Sequence, residues 1–297
     1  MTPAIPKTAK QGRSCEPPLN RDRRGDGGDG GKSAGPVKRD RLFGYEIAAE
    51  SVEGCLDQIV AWLGDGERRR YFACANPHSL VVADGDPEFR QALLDAHLLV
   101  PDGVGILLGS RILGGKIRDV VTGSDIFSGL SRRLDQAGER RYSYFFLGAS
   151  EETLVEISAR LSRDYPGIRL AGAYSPPFKD EFSDEDSRRM IEAVNAARPD
   201  VLWVGMTAPK QEKWIHQNRE LLDVRFIGAV GAVFDFYAGN VKRSHPVFRN
   251  LGLEWLPRLC REPRRLWRRN FVSSPVFLAK VIREKLGRGR LPSVSNL

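Results

Sequence analysis

From residue 42 onward, short apolar runs alternate with stretches in which apolar residues recur every three or four positions. Ser51–Leu63 reads as a helix capped by Ser51, with Val52, Cys55, Leu56, Ile59, Val60 and Leu63 on one face. Arg70–Ala75 predicts a strand, Pro77–Ala83 and Pro87–Ala96 predict helices, and His97–Val100 predicts a short strand entering Pro101-Asp102-Gly103. Helices over Val104–Ile112 and Ser124–Gln136 follow, then a strand over Tyr142–Leu147 that ends at Gly148. Helix Glu151–Asp164, strand Arg169–Ala173, helix Asp184–Ala197, strand Val201–Val204, helix Pro209–Asn218 and strand Arg225–Ala229 continue the alternation. Strands separated by helices of this length imply a mostly parallel sheet covered on both faces. The expected fold class is α/β, with a Rossmann-like body.

The two ends differ from this body. Residues 1–40 show no helical or strand period, and Gly25–Gly35 is of low complexity, so a disordered tail is expected there. After Gly239 the chain becomes basic and aromatic over Glu254–Asn270. Pro275–Leu286 predicts a further helix capped by Ser274, with an apolar face of Val276, Phe277, Val281 and Ile282. The expected organisation is a tail over 1–40, an α/β domain over 41–250, a basic amphipathic appendage over 251–290 and a short tail over 291–297.

Charge sharpens that division. The 297 residues carry a formal charge of +8, yet residues 1–40 hold nine basic and five acidic residues, and 258–297 hold eleven basic residues against two glutamates. The middle of the chain is therefore mildly acidic. A nucleic-acid-binding fold would spread its basic residues along a phosphate track. A basic appendage on an acidic body suits a local anionic partner instead, such as lipid headgroups or a diphosphate. With 41% apolar residues a buried core is expected, and no apolar run reaches the roughly 18–20 residues of a membrane span. No signal-peptide pattern opens the chain, so a cytoplasmic location is expected. Four scattered cysteines and four histidines form no ligand spacing, so neither a metal site nor a disulfide framework is expected.

In an open parallel sheet, ligands bind where the β–α loops gather at the strands' carboxyl ends. Asn76, Asp102, Gly148, Gln211 and Asp235 fall in such loops. A carboxylate at Asp102, next to a glycine that admits a substrate, could act as general base. The alternative is a turn aspartate that caps the Val104 helix. Gly103-x-Gly105 lacks the third glycine of a dinucleotide fingerprint, and Asp84-Gly85-Asp86 lies between helices, which favours a loop and cap over a metal–nucleotide motif. Gly205–Glu212 follows a strand and opens a helix, so Lys210 and backbone N–H groups could face an anion, or this could be an ordinary junction. Thr122-Gly123-Ser124-Asp125 is a similar helix start, with a cap or a ligand role for Thr122. Arg258, Arg261, Arg264, Arg265, Arg268 and Arg269 interleave with Trp255 and Trp267. Their guanidinium forks suit diphosphate oxygens, and the tryptophans suit a membrane interface.

Asn76-Pro77, Pro101-Asp102-Gly103, Thr122–Asp125, Phe146-Leu147-Gly148, Pro209–Trp214, Gly231 with Phe234-Asp235-Phe236, Lys242-Arg243 and Gly252–Leu256 with Arg258-Leu259 and Glu262-Pro263 occur in that order. Taken together they resemble the WecG/TagA/CpsF glycosyltransferases over about residues 42–285. The resemblance implies an inverting, metal-independent transfer without a cofactor. A sugar would pass from a UDP-sugar to a polyprenyl-diphosphate-linked sugar at the inner face of a bacterial cytoplasmic membrane, in surface or exopolysaccharide synthesis. It further implies Asp102 as general base, with Gln211 and Asn76 in the catalytic site. Cys74, Thr122, Gly148, Lys210, Asp235 and Arg243 would line the donor site, and Arg258, Arg265 and Arg268 would complete it over the diphosphate. Cys74 stands where many members carry threonine, Thr207 where glycine is common, and Arg243-Ser244-His245-Pro246 replaces Arg-Ala-Pro. The rival enzyme class is a Rossmann-like oxidoreductase, disfavoured by the missing glycine. Expected partners are the donor, the lipid-linked acceptor and an anionic membrane surface, with no nucleic acid and with a homo-oligomer left open.

Overall fold

The computed structural model describes residues 36–138, 141–240 and 268–288. A hairpin of β1 (Arg39–Leu42) and β2 (Tyr45–Ala48) precedes α1 (Val52–Gly64) and β3 (Arg70–Ala75). Next come α2 (Pro77–Gly85), α3 (Pro87–Leu94), β4 (Leu98–Pro101), α4 (Val104–Leu113) and α5 (Gly123–Gln136). The second half runs through β5 (Tyr142–Gly148), α6 (Glu151–Asp164), β6 (Ile168–Tyr174), α7 (Asp184–Ala197), β7 (Val201–Gly205), α8 (Lys210–Asn218), β8 (Phe226–Ala229) and α9 (Val233–Ala238). A π-helical turn over Arg268–Ser273 leads into α10 (Ser274–Arg288).

The sheet has eight strands in the order β1-β2-β4-β3-β8-β7-β5-β6, all pairs parallel except the β1–β2 hairpin. The expected α/β class is therefore observed. Because alternate residues of a strand face opposite sides, each central strand feeds two cores. Tyr71, Ala73, Leu202 and Val204 point to one side, where α2, α3, α4, α7, α8 and α10 contribute Leu80, Phe89, Ile106, Met190, Trp214 and Phe277. Phe72, Val201, Trp203 and Phe226 point to the other, covered by α1, α5, α6 and α9 through Leu56, Phe127, Ile157 and Phe234. Trp203 is fully buried, and Phe72, Phe127, Tyr144 and Phe226 meet its ring edge to face.

Helix ends follow the capping residues in the sequence. Ser51, Asp86, Ser150 and Ser183 cap α1, α3, α6 and α7, each accepting a backbone N–H from three residues on. Asp86 therefore serves as a cap, as its loop position suggested, and its neighbour Asp84 pairs with Lys280 at 2.6 Å.

The two ends of the described chain depart from the sequence expectation. The β1–β2 hairpin was not anticipated: Arg39, Asp40 and Arg41 lack an apolar alternation, and only Leu42 of that strand is buried. In α10 the expected apolar face divides. Phe277 and Val281 are buried, while Val276 and Ile282 are 42% and 48% exposed. The cause is a narrow contact with α4. A Cβ at Gly109 would lie 3.0 Å from the Phe277 ring, so the missing side chain admits the ring, and only one side of α10 reaches the body. The Phe277 ring also meets Phe43 edge-on at 5.5 Å.

Two stability predictions follow from these contacts. Phe277→Ala should lower unfolding stability by about 3 kcal/mol, the lower range for a buried Phe→Ala change, as read by denaturant titration. Gly148→Ala should cost roughly 2–4 kcal/mol, read as a fall in Tm. Gly148 has φ +117°, and a Cβ there would strike the Gly205 carbonyl of the adjacent strand.

Candidate active site

The centre of the site forms where β3 and β4 end side by side. Ala75 is in register with Pro101, and the Asp102 N–H then donates to the Ala75 carbonyl at 2.8 Å. That bond fixes Asp102 directly beside Asn76. Asn76 caps α2 through a reciprocal box: its Oδ1 accepts the Ser79 N–H at 2.9 Å, and its own N–H donates to Ser79 Oγ at 2.8 Å. The Nδ2 amide of Asn76 has no hydrogen-bond partner among the described residues, so it is available to a ligand. Gly103 caps α4, has φ +102° and offers no side chain. Asp102 is therefore not the cap of that helix, and its half-buried carboxylate is not explained by capping.

The next loop docks on the same edge. The Val121 N–H donates to the Pro101 carbonyl at 2.9 Å, which places Thr122 at the start of α5. Thr122 forms a capping box with Asp125: its hydroxyl donates to Asp125 Oδ2 at 2.7 Å and accepts the Asp125 N–H at 3.2 Å. The cap alternative is the one observed. A Cβ at Gly123 would lie 3.5 Å from Cys74 Sγ and 3.6 Å from Val233, ordinary contact distances, so Cys74, α5 and α9 meet around this glycine. A cavity of about 200 Å³ opens beside this junction, lined by Ser124, Phe127, Ser128, Tyr165, Phe236 and Tyr237. Asp235, half-buried on α9, is next in sequence to Phe236 of that lining.

The far wall comes from the β7–α8 junction. Here Thr207 has φ +45°, a left-handed conformation that glycine adopts without strain and a β-branched residue does not. Gln211, 4% exposed, is held at both ends of its amide. Its Oε1 accepts the Met206 N–H at 3.2 Å, and its Nε2 donates to Glu212 Oε1 at 2.8 Å. Gly231, at φ +54°, lies over that amide, where a Cβ would come within 3.5 Å of Nε2. Glu212 is 3% exposed, its Oε2 has no partner among the described residues, and burial pushes its carboxyl up to about 7. Gly148 packs its backbone against Gly205 on the neighbouring strand. The Lys210 ammonium donates to the Lys179 carbonyl at 2.5 Å and sits 4.8 Å from the Phe182 ring centre. It is tied to the loop after β6.

Asn76, Asp102, Cys74, Thr122, Gly148, Gln211 and Asp235 thus gather at the carboxyl ends of β4, β3, β8, β7 and β5, which are consecutive in the sheet. Arg243, Arg258 and Arg265 lie outside the described residues, as does most of the arginine–tryptophan segment; Arg268 begins the π-helical turn. Among the described residues, no group of three or more His, Cys, Asp or Glu side chains is placed to hold a metal. Sequence reasoning missed Glu212. An acidic residue in a first helical turn reads as solvent-facing and favourable to the helix dipole, and only its burial in the folded chain signals otherwise.

Comparison with known proteins agrees with this geometry. A model of the glycosyl transferase WecG/TagA/CpsF family matches residues 41–291. An N-acetylglucosaminyldiphosphoundecaprenol N-acetyl-beta-D-mannosaminyltransferase of Bacillus spizizenii is 32% identical, over 74% of this chain and 82% of that protein. The like-named enzyme of Bacillus subtilis is 30% identical over 71% and 78%, and that of Staphylococcus aureus 26% over 72% and 80%. With its loops converging on one end of a parallel sheet and a family match spanning nearly the whole body, the chain belongs to the WecG/TagA/CpsF family and is a glycosyltransferase.

Proposed function

We propose that the enzyme transfers a sugar from a UDP-sugar to a polyprenyl-diphosphate-linked sugar with inversion, in the synthesis of a cell-surface polymer. The relatives' names point to N-acetylmannosamine as the sugar transferred and to N-acetylglucosaminyl-diphosphoundecaprenol as its acceptor. The observation that carries the proposal is the bond from the Asp102 N–H to the Ala75 carbonyl. It sets a carboxylate beside an amide at the mouth of the sheet, across from Gln211.

Asp102 takes the proton of the acceptor hydroxyl as that oxygen attacks the donor's anomeric carbon. The anomeric C–O bond to the diphosphate breaks in the same step, so UDP leaves with the bonding electrons and the configuration inverts, by analogy with inverting glycosidases. Asn76 Nδ2 and Gln211 orient the sugar. The aromatic cavity beside Asp235 suits the nucleobase. Arg258, Arg265 and Arg268, assigned by resemblance, would offset the charge that develops on the diphosphate. Arg243 and Lys210 belong to the same donor side.

The membrane is proposed as a further partner. The side of α10 turned from the body exposes Leu278, Ile282 and Leu286, at 38%, 48% and 66%, with Arg283 and Lys285 nearby. Apolar residues flanked by cations on one helix face are the chemistry of an interfacial helix. No helix among the described residues is long and apolar enough to cross a bilayer.

Asp102→Asn should keep the fold and UDP binding while kcat falls by about 10²–10⁴-fold, followed as UDP release with the lipid-linked acceptor. Near-normal turnover would remove Asp102 from the chemistry. For the membrane contact, Ile282→Glu together with Leu286→Glu should lower partitioning onto anionic vesicles by about tenfold or more and leave Tm near that of the parent. Unchanged sedimentation with vesicles would exclude this face of α10 as the contact.

A further inference from the structure

Glu212 is unusual in this site, being wholly buried and joined to only one side chain. Its Oε1 accepts from Gln211 Nε2 at 2.8 Å, and its Oε2 meets no donor among the described residues. A carboxylate enclosed in this way costs stability when ionised, unless it is fully paired. The surrounding charges do not relieve it. On α8, Lys213 pairs with Asp86 at 3.4 Å and Glu88 at 2.7 Å, both of α3, and His216 pairs with Asp95 at 2.8 Å. Tyr71 of β3 donates its hydroxyl to the Ala92 carbonyl, and Arg219 lies over the Tyr71 ring. Glu220 follows in the same turn and pairs with Arg69, while on α7 the buried Asp186 is tied to Lys179 and Ser183. β8 contributes no ionisable side chain. Glu212 is thus left with Gln211.

Resting on the role proposed for Gln211, we infer that Glu212 is a positioning residue: its carboxylate fixes the Gln211 amide against the Met206 N–H and beneath Gly231, so that the amide meets substrate in one orientation. The Met206 N–H opposes the flipped amide by only one neutral bond at 3.2 Å, because the oxygen and nitrogen ends are nearly the same shape. A charged acceptor on Nε2 removes the flipped state, in which two acceptors would face each other. A charge-assisted bond is roughly twice as strong as a neutral one, so the ionised form is the better clamp. Burial has moved the carboxyl to about 7, so ionisation and clamping both rise as pH passes through neutrality.

The same shift gives a readout that a purely structural role would not share. The folded-state pKa lies above the unfolded value of 4.5, so the native state binds more protons between the two, and stability falls as pH rises from 4.5 through about 7. The decisive variant is Glu212→Gln, which keeps the shape and removes the charge. At pH 8 it should have a higher Tm than the parent; at pH 4, where the parent carboxyl is protonated, the two should nearly coincide. Its kcat at pH 8 should nonetheless fall by about tenfold with the donor KM little changed, and its kcat profile should lack the limb near pH 7 expected of the parent. A parent-like kcat and pH profile in Glu212→Gln would overturn the inference. So would a variant both less stable at pH 8 and unaltered in kcat, since that combination marks a structural carboxylate. Gln211→Ala, assayed alongside, separates the two claims. If it also leaves kcat intact, Gln211 is outside the chemistry. If it lowers kcat while Glu212→Gln does not, only the positioning role fails.

Discussion

The parallel pairing of β3 with β4 on one side and with β8 on the other is the constraint from which the site follows. Parallel strands end at the same edge, so every β–α loop must leave from that edge. The register Ala75↔Pro101 puts Asn76 and Asp102 one residue beyond the sheet together, and the Asp102 N–H extends the ladder by one bond. The pairing of Val201–Val204 with Phe226–Ala229 delivers Gly205 and Val230 to the same level, and the Val230 N–H donates to the Val204 carbonyl at 2.9 Å. A register slip would turn each strand's side chains to the wrong face. Trp203 and Leu202, adjacent in sequence and buried in opposite cores, make such a slip very unfavourable.

Much of this was legible because a parallel sheet buried on both faces demands continuous apolar strands. Tyr142–Leu147 and Val201–Val204 could be little else, and the cap of α1 at Ser51 was visible in the sequence. Elements at the margin were less legible. β1 is an edge strand whose charged residues face solvent, so it carries no period-two signal. Val233–Ala238 reads as an apolar continuation of the preceding strand, and its six residues are too few to declare a helical period. In α10 the sequence shows apolar residues on more than one side, and only Gly109 on α4 decides that Phe277 and Val281 are the buried pair. Spacing alone left Asp102 between a helix cap and a base, and its role and that of Gln211 come from the resemblance to a family. The structure removes the first of these, since Gly103 takes the cap position.

Glu212 marks the limit of that legibility. Residues 211 and 212 are both polar and open a helix, and nothing in their order says that both are buried. Gln211 is covered by the loop after β8, where Gly231 brings main chain over the amide, and Glu212 is buried beside it. Tertiary enclosure changes a favourable first-turn carboxylate into a costly one. A charge kept at such a cost, next to a residue of the site, is better explained by what it orients than by what it stabilises.

The appendage helix and the catalytic edge share one element, and the magnitudes show how. α2 is capped by Asn76 at its start. Beyond that cap, His78 Nδ1 is 2.8 Å from Ser273 Oγ, and Asp84 pairs with Lys280. The ion pair is partly exposed and is worth at most about 1 kcal/mol, and the histidine–serine bond is worth a similar amount. Phe277, enclosed by Gly109, Phe43 and Val281, contributes several times more. Apolar burial therefore holds α10 on the body, and the two polar contacts set where along α2 it rests. Because the helix capped by Asn76 is also one that receives α10, the position of α10 and the carboxyl edge of β3 are linked through α2.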